Sequence, residues 1–80
     1  MYHVYLLQSE KDNSFYIGYT SNIDSRLFKH NNSKSGYTST KKPWKLVYSE
    51  SYETKREAIK RENFLKKQKS RDFYNKLISK

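Results

Sequence analysis

Two short segments near the N-terminus have the alternation and composition of β-strands. Residues 2–8 (YHVYLLQ) and 15–19 (FYIGY) are rich in aromatic and aliphatic side chains, and the turn-forming residues 10–14 separate them. An even-numbered connection would give the hairpin one fully apolar face, Val4, Leu6, Phe15 and Ile17, and an opposite face of His3, Tyr5, Leu7, Tyr16 and Gly18. Because a buried face fixes the register of a hairpin, the pattern predicts the even connection.

A first helix is predicted to follow the hairpin and to end near Asn31. Ser21 and Asp24 have the spacing of a capping box, and Asp24 also suits the positive end of a helix dipole. Arg26 lies one turn before His30 and beside the inward stripe of this helix. That stripe consists of Ile23, Leu27 and His30.

The middle of the chain predicts a loop and a third strand. Residues 32–42 are polar and contain a glycine, which is typical of a loop. Pro43 marks the start of the strand, and residues 44–52 (WKLVYSESY) alternate with a period of two. The alternation predicts that Trp44, Leu46 and Tyr48 share one face of the sheet.

A second helix is predicted over residues 55–69. Thr54 and Glu57 form a capping-box pattern at its start. Its apolar positions are Ala58, Ile59, Phe64 and Leu65. Glu62 lies in the middle of the stripe that these positions define, and a buried carboxylate is costly unless it is paired or holds a cation.

Ser70 predicts the cap of a last helix over residues 71–79. The predicted order is therefore β-β-α-β-α-α, an α+β fold in which helices pack against a small sheet. Eighty residues make a single domain, 1–80. The absence of cysteine excludes disulfides and thiolate metal sites, and it suits a reducing compartment.

The charge of the chain indicates a polyanionic partner. The net charge is +9, and residues 54–80 contain ten basic and three acidic side chains. Such a distribution is typical of proteins that bind nucleic acid. The N-terminus has no signal-peptide pattern and no segment has the length of a membrane span, so we expect a cytoplasmic protein without a membrane partner.

Five side chains from distant segments have the chemistry of a phosphodiester hydrolase: Tyr5, Tyr16, Arg26, His30 and Glu62. A carboxylate holds a hard divalent ion such as Mg²⁺, an arginine binds phosphate, and tyrosine or histidine takes a proton from water. A tyrosine in that role needs a lowered pKa, which a nearby cation would supply. Each residue also has a structural interpretation, such as an ion pair between Glu62 and Lys66 or Arg26.

These motifs resemble the GIY-YIG nucleases, specifically their small single-domain bacterial members. The resemblance covers essentially the whole chain and rests on HVY at 3–5, YIG at 16–18, RLxxHN at 26–31, PWKLVY at 43–48 and RE at 61–62. It implies a three-stranded antiparallel sheet flanked by helices. It also implies metal-dependent hydrolysis of DNA phosphodiester bonds, with Mg²⁺ or Mn²⁺ as cofactor.

The resemblance assigns roles to the same five side chains. Tyr5 and Tyr16 lie in the active site, one of them as general base or water-positioning group; Arg26 contacts the scissile phosphate, His30 assists proton transfer and Glu62 binds the metal. Asn75 is the only downstream match for an asparagine that often follows the glutamate in the family.

Two positions depart from the family pattern. The first motif begins with His3 and Val4 instead of glycine and isoleucine. Tyr19 stands where the excision-repair nucleases have a lysine. The choice of general base among Tyr5, Tyr16 and His30 therefore stays open.

DNA binding is expected to rest on phosphate contacts by the basic C-terminal third of the chain. The expected contacts are Arg61, Lys66, Lys67, Lys69, Arg71 and Asn75, with Lys41 and Lys42 from the loop and Gly18 leaving room for the DNA backbone. Such contacts recognise charge rather than base sequence, so we expect weak sequence specificity and selection of single-stranded or branched DNA. Exposed Tyr37, Trp44 or Tyr74 would stack on unpaired bases. The alternative function is a nucleic-acid-binding module without catalysis.

Overall fold

The computed structural model describes residues 1–32, 34 and 36–79, and for residues 37 and 38 it describes the backbone alone. The predicted loop at residues 32–42 therefore lies partly outside the described residues. The elements are β1 (Tyr2–Ser9), β2 (Phe15–Thr20), α1 (Ile23–Asn32), α2 (Tyr37–Lys41), β3 (Trp44–Tyr52), α3 (Lys55–Gln68) and α4 (Arg71–Ile78). The α+β class and the predicted order are confirmed, with α2 as an addition.

The three strands form an antiparallel sheet in the order β2-β1-β3. Leu6 is paired with Ile17 and Tyr5 is paired with Gly18, so six residues separate the last cross-strand pair of the hairpin. The even connection is therefore confirmed. Val4, Leu6 and Ile17 lie in the main core, whereas Tyr5 belongs to a second cluster on the other face.

A β-bulge in β3 overturns the prediction that Trp44, Leu46 and Tyr48 share a face. Leu6 is paired with Tyr48 while its neighbour Leu7 is paired with Leu46, so Val47 is an extra residue. The bulge reverses the alternation. Trp44 packs with the cluster on the Tyr5 face, and Tyr48 packs against the main core.

Helices cover both faces of the sheet. The main core joins the β1 and β2 side chains to Ala58 and Leu65 of α3 and to Tyr74 and Leu77 of α4. On the opposite face, Ile23 and Leu27 of α1 pack against the second cluster, which consists of Tyr5, Leu7 and Trp44. The sheet is thus the middle of three layers.

The structure confirms two of the three predicted helix caps. The Thr54 hydroxyl accepts the N–H of Glu57, and the Ser70 hydroxyl accepts the N–H of Phe73. At α1 the cap is Asn22 instead of Ser21, because Asn22 Oδ1 accepts the N–H of Ser25 at 3.0 Å.

One other prediction needs correction, because the polar segment predicted as loop contains the short helix α2. Phe64, an apolar residue of α3 outside the stripe that runs from Ala58 to Leu65, is 46% exposed, and its ring packs on that of Phe73. No helix within the described residues is long and apolar enough to cross a membrane.

Candidate active site

The hairpin brings the two motif tyrosines together. Tyr5 is paired with Gly18 across β1 and β2, and Tyr16 is paired with Leu7, so both tyrosines belong to the same face of the sheet. Their ring centroids are 6.4 Å apart and the rings are stacked. Tyr5 is only 2% exposed, so the surrounding side chains hold its hydroxyl in a defined position.

Gly18 provides the space that the Tyr5 side chain occupies. A Cβ atom at Gly18 would lie 2.5 Å from Tyr5 Oη and 2.8 Å from Tyr5 Cζ. These separations are shorter than any van der Waals contact, so only glycine fits opposite Tyr5 in this arrangement. The glycine is therefore explained by Tyr5, and contact between Gly18 and DNA stays a prediction.

Helix α1 places His30 against both tyrosines. His30 is buried, and its Nε2 lies 3.2 Å from Tyr5 Oη. Its ring centroid is 4.6 Å from that of Tyr16. Arg26, one turn earlier on α1, is exposed, and it lowers the pKa of both Tyr5 and His30. The spacing of Arg26 and His30 thus puts a cation and an imidazole near the Tyr5 hydroxyl.

Asn31 fixes the end of α1 to β3, a contact that the sequence reasoning missed. Its side-chain amide donates to the carbonyl of Trp44 at 3.0 Å and accepts the N–H of Trp44. Both bonds use backbone groups, which no side-chain pattern indicates. Only the position of Asn31 directly after His30 in the RLxxHN motif points to it.

Glu62 lies on α3 between two residues of the main core. Ala58 and Leu65, which lie four residues before and three residues after Glu62, are 0% and 1% exposed. The Glu62 side chain is 13% exposed, and its carboxylate is 3.5 Å from Lys66 Nζ. Its charge is the last of the causes that act on the pKa of Tyr5. The ion pair with Lys66 is therefore observed, and the place of Glu62 in the active site stays a prediction.

The site holds Tyr5 protonated and His30 neutral at pH 7. Burial raises the pKa of Tyr5 to about 12, although the hydrogen bond from Arg26 lowers it. Burial, followed by repulsion from Arg26, lowers the pKa of His30 below its usual value of 6.5. The expectation that a nearby cation gives the tyrosine a lowered pKa is therefore wrong for Tyr5, because burial outweighs Arg26.

Glu62 is the only carboxylate among the five predicted site residues. Within residues 1–32, 34 and 36–79, no three histidine, aspartate or glutamate side chains are grouped as metal ligands. A metal held by these five residues would have Glu62 as its single carboxylate ligand. That donor set fits Mg²⁺ or Mn²⁺, because hard ions often take one carboxylate and fill the remaining positions with water and phosphate oxygens.

Three of the expected DNA-binding cations are engaged in ion pairs. Arg61 donates to Glu50 through Nε at 2.9 Å and Nη2 at 3.0 Å, and Glu50 also accepts the hydroxyls of Tyr48 and Tyr52. Lys41 is paired with Asp12, and Lys66 with Glu62. The remaining candidates are exposed: Lys42, Lys67, Lys69, Arg71 and Asn75.

Two of the three predicted stacking residues, Trp44 and Tyr74, are buried. Tyr74 is 8% exposed, and its hydroxyl donates to the carbonyl of Leu65 at 2.8 Å, so the prediction of an exposed Tyr74 is wrong. Trp44 is 2% exposed and belongs to the cluster beneath the site. The side chain of Tyr37 lies outside the described residues.

Comparison with protein families matches residues 1–77 to the GIY-YIG catalytic domain. The match covers almost the entire chain, and the protein therefore belongs to the GIY-YIG family, which is a family of nucleases.

Within that family, the chain is similar to small proteins named UPF0213. YazA of Bacillus subtilis is 39% identical over 75 residues, which are 90% of this chain and 76% of the relative. CPE1444 of Clostridium perfringens is 47% identical over 68 residues, or 84% and 72% of the two chains. The solution NMR structure of BH0048 from Bacillus halodurans has a TM-score of 0.59 and 34% identity, with 99% of this chain and 84% of that chain covered.

Proposed function

We propose that the protein is a metal-dependent DNA endonuclease that hydrolyses phosphodiester bonds. The observation that carries this proposal is the 3.2 Å approach of Tyr5 Oη to His30 Nε2. This pair lies beside Tyr16, with the charges of Arg26 and Glu62 acting on the same hydroxyl. Binding alone requires no such arrangement of a proton acceptor, a cation and a carboxylate around one buried tyrosine.

The protonation states of the pair support a proton relay. A water molecule next to Tyr5 gives a proton to the Tyr5 oxygen while the Tyr5 hydroxyl proton passes to Nε2 of neutral His30. The resulting hydroxide attacks phosphorus, the bond from phosphorus to the leaving oxygen breaks, and that oxygen takes a proton from solvent. A phenol with a raised pKa suits this role, because it exchanges one proton for another without existing as a free phenolate.

Arg26 supplies positive charge where the phosphate would lie. Arg26 is exposed and acts electrostatically on both Tyr5 and His30, so a phosphate that binds Arg26 would lie next to the relay. Arginine presents parallel N–H donors that match two phosphate oxygens. It thereby orients the scissile group and stabilises the negative charge that develops during attack.

Glu62 would hold a divalent ion, Mg²⁺ or Mn²⁺. The ion would neutralise charge on the phosphate oxygens when bound. The ion would replace Lys66, whose side chain is 53% exposed and lies 3.5 Å from the carboxylate. The shortage of other carboxylates in the cluster supports a site that is completed by the substrate.

The substrate class follows from charge. A net charge of +9 favours a polyanion, and phosphate contacts give salt-dependent affinity with little base reading. We infer weak sequence specificity, selection of single-stranded or branched DNA, and action in the cytoplasm, with DNA repair as a fitting role.

The proposal is tested with single-stranded, duplex and branched DNA, each incubated with Mg²⁺, Mn²⁺ or chelator. Wild type is compared with Glu62→Gln and with the matched control Glu53→Gln, which removes an exposed carboxylate that forms no ion pair in the described residues. We expect cleavage by wild type and Glu53→Gln only with metal, and loss of cleavage in Glu62→Gln. Equal cleavage by Glu62→Gln would overturn the metal site, and binding without cleavage by any form would establish the non-catalytic alternative.

A further inference from the structure

A second cationic site lies at the hairpin-turn end of β2, outside the cluster of five. It is a cavity of about 360 Å³ lined by Ser14, Phe15, Lys69, Arg71 and Tyr74. The lining contains two cations, which come from the junction between α3 and α4, and no carboxylate. This composition favours a negatively charged ligand.

The two cations are free to bind an anion. Within the described part of the chain, neither Lys69 nor Arg71 forms an ion pair, and Asp72 pairs with neither. Arg71 is held in place, because its guanidinium carbon lies 5.3 Å from the centre of the Phe15 ring and Nη1 donates to the carbonyl of Asn13 at 3.0 Å. The remaining guanidinium donors of Arg71 are therefore preorganised.

The other lining residues provide an apolar surface beside this charge. The ring of Tyr74 meets that of Phe15 edge to face at 5.4 Å. The Tyr74 hydroxyl already donates to the carbonyl of Leu65, so Tyr74 offers the cavity only the apolar surface of its ring. Because Phe15 is half-buried and Tyr74 is 8% exposed, the apolar surface beside the charge is small, and it fits the sugar of a nucleotide rather than a stacked base.

The cavity lies on the main-core face of the sheet, at the edge strand β2, whereas Tyr5 and Tyr16 belong to the opposite face. Helix α3 links the cavity to the candidate site, because Lys69 follows Glu62 by seven residues, about 10 Å along a helix. With about 3.4 Å of axis per nucleotide in each DNA strand, this separation corresponds to about three nucleotides for a strand that passes the β2 edge.

We propose that this cavity is a subsite for one phosphodiester of the bound DNA, about three nucleotides from the bond that is cut. Lys69 and Arg71 contact the phosphate, and half-buried Phe15 lies beside the attached sugar. The proposal rests on the proposed nuclease function, since it places the subsite relative to the scissile bond. The subsite fixes the position of the strand in the catalytic cluster without reading its sequence.

The test measures DNA binding in the presence of chelator, so that cleavage plays no part. Lys69→Asn removes the charge and tolerates the left-handed backbone at residue 69, where φ is 45°. The control, Lys55→Gln, removes a charge at the opposite end of α3. We expect Lys69→Asn to weaken binding five- to tenfold and to lower the salt slope by about one, with less than a twofold change in Lys55→Gln.

Equal weakening by the two variants would overturn the subsite, because it would indicate a diffuse charge effect. A second arm follows the amide NMR signals of Ser14, Lys69 and Arg71 during titration with DNA, inorganic phosphate or a nucleoside monophosphate. We expect shifts with DNA at lower concentrations than with either small ligand, and the reverse order would identify a small-molecule site. A protein that binds DNA through Lys69 but does not cleave it would refute the nuclease function and retain the phosphate subsite.

Discussion

The hydroxyl oxygen of Tyr5 lies 2.5 Å from the point that a Cβ atom of Gly18 would occupy. The two residues face each other across β1 and β2, and the missing side chain of one makes room for the functional group of the other. A glycine weakens a strand because it adds backbone entropy and packs nothing. Here the contact between Tyr5 and His30 depends on the missing side chain of Gly18.

Gly18→Ala tests this dependence. The added methyl group pushes the Tyr5 ring away from its place, which we expect to lower the free energy of unfolding by about 1 to 2 kcal/mol in urea titrations. Cleavage should fall at least tenfold, because the Tyr5 hydroxyl leaves His30. In a Tyr5→Phe background the same substitution should destabilise less, since the nearest atom is absent. A fully stable and active Gly18→Ala protein would contradict the account.

The pH dependence of cleavage reports on His30. Only neutral His30 accepts a proton, so kcat/KM should rise with pH and level off by pH 7, with a midpoint below the usual value of 6.5. His30→Gln should lower the rate about 10²- to 10⁴-fold and abolish the rise of kcat/KM with pH. A midpoint above 6.5 would exclude a neutral histidine as the acceptor.

The same lowered pKa affects stability. Because the unfolded chain binds the proton more readily than folded His30, the stabilising contribution is complete above pH 6.5 and is lost as the pH falls through the folded pKa. Urea unfolding at a series of pH values should show that the free energy of unfolding falls less at acidic pH in His30→Gln than in wild type.

Removal of the Asn31 side chain should separate α1 from β3. Asn31→Ala removes the side chain that donates to the Trp44 carbonyl and accepts the Trp44 N–H, which we expect to lower the unfolding free energy by about 1 to 3 kcal/mol and to reduce cleavage. Asn31→Asp keeps the acceptor and should lose less. The control is Asn32→Ala, because the Asn32 amide donates to the Phe28 carbonyl within α1 at the surface. Equal effects of the two alanine variants would show that the contact between Asn31 and Trp44 does not hold α1 to β3.

The ion pair between Arg61 and Glu50 makes Arg61 a structural residue. We expect Arg61→Met to lower the unfolding free energy by about 2 kcal/mol, and Arg56→Met, which removes an exposed charge from the same helix, to change it by less than about 0.5 kcal/mol. Both should weaken DNA binding equally. If Arg61→Met is as stable as wild type and loses more DNA affinity than Arg56→Met, Arg61 contacts DNA directly.

This stabilisation should depend on pH. Burial raises the pKa of Glu50, but the hydrogen bonds from Arg61, Tyr48 and Tyr52 outweigh it and leave the pKa below 4.5. The contribution is therefore present above pH 4.5 and is lost as the pH falls through the folded pKa. The difference between wild type and Arg61→Met, measured by urea unfolding, should shrink over that range.

The parts of the fold that followed from sequence are those with local or periodic causes. The apolar alternation fixed the hairpin register through Leu6 and Ile17, and the hydroxyls of Thr54 and Ser70 marked helix starts. The bulge at Val47 was missed, because an extra apolar residue leaves the alternating pattern unchanged until the partner strand is known.

Spacing and family resemblance together predicted Tyr5, Tyr16, Arg26, His30 and Glu62 as the site. The structure brings Tyr5, Tyr16 and His30 into contact, and the roles of all five residues stay predictions. The raised pKa of Tyr5 depends on burial by side chains from several elements, which no local pattern contains. The Arg61 ion pair was missed for the same reason, since a basic residue in a basic segment is typical of an exposed DNA contact.

The single-turnover cleavage rate of Tyr5→Phe, compared with wild type at saturating protein, tests the central claim most directly. The substitution removes one buried oxygen and leaves the ring, so DNA affinity measured with chelator should stay within twofold of wild type. We predict a rate lower by about 10²- to 10⁴-fold, because the proton relay from water to His30 lacks the Tyr5 hydroxyl. A rate within twofold of wild type would contradict catalysis through the contact between Tyr5 and His30.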